Sequence, residues 1–127
     1  MTHLPTDLKY ASTHEWARLE ADNIIRVGIT DFAQQQLGDL VFIDLPEIGR
    51  TLSAGEQCAV VESVKTASDL HSPVTGQVIA VNNEITDELE QVNDDPYNAW
   101  LFCIKAADPA DLDKLMAAED YQRMIND

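Results

Sequence analysis

The sequence predicts a mainly β fold: a small antiparallel sandwich or barrel with one short internal helix and a C-terminal helical segment. Three observations carry this reading. Short runs rich in Val, Ile and aromatic residues alternate with turn residues at roughly six- to ten-residue intervals. The βαβ rhythm of a parallel nucleotide-binding sheet is missing. The 127 residues, 45% of them apolar, suffice for one domain with its own core and no need of metals or disulfides. Residues 1–127 are therefore expected to form a single domain, with a core over about 10–105 and a helical segment over about 109–125.

The elements follow in order. "HEWARLEADNIIRVGIT" reads as two strands around a turn at Ala21, Asp22 and Asn23. "TDFAQQQLG" reads as a short helix with Thr30 as N-cap, Asp31 at the positive end, Phe32, Gln36 and Leu37 on helical spacing, and Gly38 as a left-handed stop. "DLVFIDL" is a strand, "PEIG" a turn, and "RTLSAGE" a connection turning at Ser53–Gly55. "QCAVVESV" is a strand, and "TASDLHSPVTGQVIAV" gives two more, broken at Ser72, Pro73, Thr75 and Gly76. "NNEITDELEQVNDDPYNAW" is loop or irregular helical turn before a final strand, "WLFCIKA". In "DPADLDKLMAAEDYQRMIND", Asp108 caps a helix, Pro109 suits its first position and Asp111 its first turn. Leu112, Leu115 and Met116 make one apolar face; Tyr121, Met124 and Ile125 continue on a rotated stripe, with a bend or break expected near Ala118 and Glu119.

Charge is the compositional outlier. Twenty-three acidic against eight basic residues give −15. Such a surface repels phosphate backbones, which argues against nucleic-acid binding; it can steer the chain towards partners with basic docking patches or serve solubility alone. Cys58 and Cys103 lie in apolar runs without zinc-site spacing and read as buried free thiols, with one bridge between them left open. "MTHLPTDLKYAS" lacks a signal-peptide layout, and no apolar run approaches a membrane span. The expected location is the cytoplasm of a bacterium, or a mitochondrial matrix for a trimmed organelle protein.

A catalytic centre is hard to assemble. His3, His14 and His71 do not cluster, His3 falls near a terminus expected to fray, and no GxSxG, HExxH, Walker or GxGxxG pattern occurs. One lysine is better placed. Lys65 follows the strand-like "AVVESV" and precedes a returning strand, so it falls at a hairpin bend among Ser63, Thr66, Ala67 and Ser68. A modifying enzyme has room there, and acylation would turn the cation into a long neutral tether. A solvated turn lysine fits the same local pattern.

Wider motifs favour the first reading. "ESVKTASD" resembles the lipoyl-attachment segment of the glycine cleavage system H-protein family, an E-S-V-K-x-x-S-D pattern. "KYASTHEW", "VGITDFAQQQLGDLVFIDLPEIG", "SPVTGQVIAVN" and "VNDDPYNAWLFCIK" resemble further blocks of that family in the same order. Ala99 replaces a usual glycine, Cys103 a common lysine, the 84–90 loop lacks a frequent proline, and "YQRMIND" matches loosely. None of these departures touches the segment around Lys65.

The resemblance implies the hybrid barrel-sandwich of biotinyl and lipoyl domains, with (R)-lipoic acid held as lipoamide on Lys65 inside the attachment motif Glu62, Ser63, Val64 and Ser68. It implies a non-catalytic carrier that takes an aminomethyl group from the pyridoxal-phosphate glycine decarboxylase to the tetrahydrofolate-dependent aminomethyltransferase. A flavin dihydrolipoamide dehydrogenase reoxidises the arm, and lipoylating enzymes attach it; the hard chemistry belongs to the cofactor and those enzymes. An aminomethyl thioether is open to attack by water, so the arm needs shelter. By the same resemblance Thr13, Glu15 and Asp69 supply it, the two carboxylates pairing with the cationic amine. On the same view His14 is structural and Trp16 core.

Rival readings differ at the lysine. A biotin carrier usually flanks it with methionine, and a 2-oxo acid dehydrogenase lipoyl domain usually places an acid where Val64 stands and is fused to other domains through linkers. A lipoyl donor or relay outside glycine cleavage would share both fold and Lys65. A small enzyme would need a cluster of reactive side chains that the sequence does not display.

Overall fold

The computed structural model describes residues 4–126; His3 lies outside them. The chain opens with β1 (Lys9–Tyr10), β2 (Glu15–Leu19) and β3 (Ile24–Ile29), then α1 (Asp31–Leu37) and β4 (Leu40–Asp44). Next come β5 (Thr51–Leu52), β6 (Gln57–Ser63), β7 (Ala67–His71) and β8 (Gly76–Val81). A 3-10 turn at Asn83–Asp87, α2 (Glu90–Asp94), β9 (Phe102–Ala106), a 3-10 turn at Pro109–Lys114 and α3 (Ala118–Asn126) complete it.

Two antiparallel sheets form, one of six strands ordered β1–β2–β3–β9–β8–β5 and one of three ordered β4–β6–β7. The mainly β sandwich read from the turn spacing is therefore the fold. Both sheets feed one core: Ala17, Ile25, Val27, Val78 and Ile104 from the larger, and Ile43, Ala59, Val61 and Leu70 from the smaller. Burial of this apolar face is the chief stabilising contribution.

A second cluster covers the outer face of β1 and β2. Leu8, Tyr10 and Trp16 pack there against Tyr121, with Met116, Met124 and Ile125 beside them. With both faces of β2 covered, Glu15, Trp16 and Ala17 are buried in succession despite the two-residue alternation of a strand. Trp16 is core, as expected, and its Nε1 donates to the Pro96 carbonyl at 3.0 Å.

The C-terminal segment differs from the expected bent helix. Asp108 does cap its start, accepting from the Ala110 N–H at 3.0 Å. The 3-10 turn then stops, Leu115 is extended, and Met116 exchanges two 2.8 Å backbone hydrogen bonds with Tyr10 before α3 begins. Pairing with β1 thus outcompetes helix at Leu115–Ala117, ahead of the break expected at Ala118. Leu112 consequently joins the main core and Met116 the second cluster, instead of sharing a helical face.

Cys58 and Cys103 are buried free thiols. Among the described residues no helix is long and apolar enough to cross a membrane.

Candidate functional site

The β6–β7 hairpin puts Lys65 at its tip. Ser63 builds the turn: its N–H donates to the Thr66 carbonyl at 2.8 Å, while its hydroxyl oxygen accepts from the N–H groups of Lys65 and Thr66, each at 3.2 Å. The Val64 N–H then ties the tip to the Asp39 carbonyl at 3.0 Å. Glu62, Val64, Lys65 and Ser68 are all exposed. The Lys65 segment is thus a braced turn with an exposed amine.

The Asp39 anchor follows directly from α1. Thr30 caps that helix by accepting from the Ala33 N–H at 3.1 Å, and the Gly38 N–H closes it on the Gln34 carbonyl at 2.9 Å. Gly38 has φ 77° and ψ −154°, a region essentially restricted to glycine and distinct from the left-handed helical stop expected there. This extended ψ sends the chain straight into β4.

Beside the tip lies a cleft of about 350 Å³. Thr66, Ala67 and Ser68 line it on the hairpin side, Ala33, Gln36 and Leu37 on the α1 side, and Thr13 and His14 at the β1–β2 loop. Ile29 and Leu70 also line it. Apolar and polar residues line it in equal number, a mixture that suits a hydrocarbon arm carrying a polar end.

Thr13 and Glu15 meet, since the Thr13 hydroxyl donates to Glu15 Oε1. Glu15 is only 1% exposed, and its other oxygen accepts from the His71 N–H at 2.9 Å. His71 Nδ1 stands 3.5 Å from that same oxygen, too far for a good hydrogen bond but within ion-pair reach when protonated. Burial pushes the Glu15 carboxyl above the usual glutamate range, against the pull of Thr13 and His71. Asp69 is exposed on β7, two positions before His71. Among the described residues no hydrogen bond or ion pair joins Asp69 to Thr13 or Glu15.

Two further residues of this arrangement stand outside the expected site set, with His14 expected to be structural. His71 is the partner of Glu15 across 56 positions, with no local signal marking the pair. His14 lies in the cleft wall at φ 77°, its Nδ1 2.7 Å from the Tyr121 hydroxyl. Burial holds the His14 pKa below the ordinary histidine value.

Comparisons with known proteins point to one family. The family described as "Glycine cleavage H-protein" matches residues 8–127. The glycine cleavage system H protein 2 of Pseudomonas aeruginosa is 55% identical over 126 residues, covering 99% of this chain and 98% of that one. The glycine cleavage system H protein of Thiobacillus denitrificans is 57% identical over 122 residues, covering 96% and 95%. A crystal structure of a glycine cleavage system H protein from Mycobacterium marinum superposes with a TM-score of 0.89 at 40% identity, covering 97% of this chain and 99% of that one. With its hairpin lysine, its adjoining cleft and full-length relatives of one kind, the chain belongs to the glycine cleavage H-protein family.

Proposed function

We propose that this chain carries a lipoyl group on Lys65 and shelters the aminomethyl-loaded arm in the cleft between the hairpin, α1 and the β1–β2 loop. H proteins are the lipoyl carriers of glycine cleavage, and this chain shares that role. The observation that carries the site assignment is continuity: Thr66, the residue after Lys65, already lines the cleft, which Thr13 and His14 line as well. Held on Lys65, the lipoyl group would supply the disulfide chemistry for carrying an aminomethyl unit between the decarboxylase and the aminomethyltransferase.

The protein's own residues do the handling. Ser63 and Val64 brace the turn, so Lys65 projects from a fixed base. Ile29, Leu37 and Leu70 exclude water along the cleft. Glu15, bonded to the cleft residue Thr13, is a buried carboxylate whose ionised form a cationic cargo favours, and Asp69, exposed between the lining residues Ser68 and Leu70, offers a second, solvated carboxylate outside the lining itself. Loading thus selects the sheltered position. The decarboxylase, the aminomethyltransferase, the dihydrolipoamide dehydrogenase and a lipoylating enzyme are the proposed partners, in a bacterial cytoplasm. The chain itself is a carrier and not a catalyst.

Two measurements on one preparation test this. Peptide mapping after lipoylation is expected to place the mass increment on the peptide containing Lys65. The lipoylated protein is expected to restore glycine-dependent CO₂ release when mixed with the three enzymes. Modification elsewhere rejects the site, and a lipoylated protein that restores nothing rejects the glycine cleavage role.

A further inference from the structure

Tyr121 is fully buried in α3 and stacks on Tyr10, ring centroids 4.9 Å apart. Phenylalanine would supply that stacking equally well. The hydroxyl, however, makes two further contacts: 2.7 Å to His14 Nδ1 and 2.8 Å to Thr30 Oγ1. His14 belongs to one wall of the cleft, and Thr30 caps α1, which supplies another wall through Ala33, Gln36 and Leu37.

Each wall has a reason to need fastening. His14 holds φ 77°, a conformation that persists in a non-glycine residue only where its surroundings over-determine it. Its ring also packs on Phe32 of α1, centroids 4.9 Å apart. Thr30 Oγ1 already accepts from the Ala33 N–H, which leaves its own proton for Tyr121. The Tyr121 proton then goes to Nδ1 of neutral His14, and every group in the relay is satisfied. The lowered His14 pKa suits that neutral form.

We infer that Tyr121 is a positioning residue for the arm cleft, its hydroxyl tying the His14 wall to the α1 wall and so setting the width of the shelter. The inference rests on the proposed use of the cleft by the loaded arm. It gives the C-terminal helix a part in carrier function although Tyr121 does not itself line the cleft.

The test is the lifetime of the loaded, lipoylated protein after removal of the decarboxylase. Water cleaves the carbon–sulfur and carbon–nitrogen bonds of the loaded arm, leaving a thiol on the arm and releasing one formaldehyde and one ammonium, both countable. The Tyr121→Phe variant, which loses both hydrogen bonds of the hydroxyl, is expected to lose its cargo about 3–10-fold faster than wild type, a scale set by the modest net worth of buried hydrogen bonds, with lipoylation unchanged. Met124→Ala loosens the same helix while keeping the hydroxyl, and is expected to melt lower yet lose its cargo at the wild-type rate. Wild-type decay in Tyr121→Phe beside fast decay in Glu15→Gln would overturn the role of Tyr121 and leave the shelter standing. Wild-type decay in both variants would overturn the shelter and this inference together. Equal acceleration in Tyr121→Phe and Met124→Ala would reduce Tyr121 to helix docking and overturn the inference.

Discussion

The side chain of Lys65 lies across the bare α-carbon of Gly38: a β-carbon built there would stand 3.1 Å from Lys65 Cε and 3.8 Å from Nζ. The end of α1 and the hairpin tip therefore share one contact, made possible by a missing side chain. Gly38→Ala meets two penalties, the glycine-restricted backbone at φ 77° and ψ −154°, and displacement of the lysine stem. The expected cost is about 1–3 kcal/mol, nearly all from the backbone, since the exposed stem can swing aside. Chemical denaturation measures it. Lipoylation at saturating enzyme is expected to reach completion in the folded variant.

Lys65→Arg separates surface charge from chemistry. Both side chains are cationic, so folding and net charge stay as they are, but guanidinium is a poor nucleophile at neutral pH. The variant is expected to show a wild-type melting curve, no lipoyl mass increment and no support of glycine cleavage. A full increment in intact-mass analysis would show that another group accepts the arm.

Local chemistry explains what could be read in advance. Asp22 and Asn23 turn between β2 and β3 at φ 60° and 62°, as short polar side chains favour, and Ser63 makes its turn with neighbouring amides only. The hairpin and its lysine were therefore legible. Interactions between distant positions were not. Glu15 and His71 are 56 positions apart, and His14 and Tyr121 are 107 apart. The propensities of Leu115 and Met116 favour helix, yet β1 offers Met116 two backbone hydrogen bonds. The buried state of Glu15 is hidden for a related reason: nothing in "STHEW" announces that His71 of β7 will pack on it.

Glu15 carries a pH signature. Burial raises its pKa in the folded protein, so the native state holds that proton more tightly than the unfolded chain. By linkage its stabilising effect is complete below the ordinary glutamate value, near pH ~4, and is lost as pH rises through the raised folded value. Glu15→Gln cannot lose a proton and so lacks this slope. Thermal melts from pH ~4 to ~8 are expected to show the variant gaining on wild type as pH rises. The same variant is expected to shed its aminomethyl cargo about 3–10-fold faster at neutral pH, as loss of a charge-assisted contact would produce. A constant difference in melting temperature across that range would refute the raised pKa.

Gly28 sets the last expectation, through a purely steric device. It pairs with Trp16 across β2 and β3, and a β-carbon there would lie 2.5 Å from two carbons of the indole. The ring cannot easily retreat, because it is fully buried and its Nε1 is fixed to the Pro96 carbonyl. Gly28→Ala therefore overpacks the second core cluster, at an expected cost of about 1–3 kcal/mol or somewhat more. The damage is expected to start beneath α3, since Tyr121 and Trp16 share that cluster. Hydrogen exchange should show earlier loss of protection in residues 118–126 than in β6 and β7. Uniform loss across both would mean that the second cluster and the main core open together.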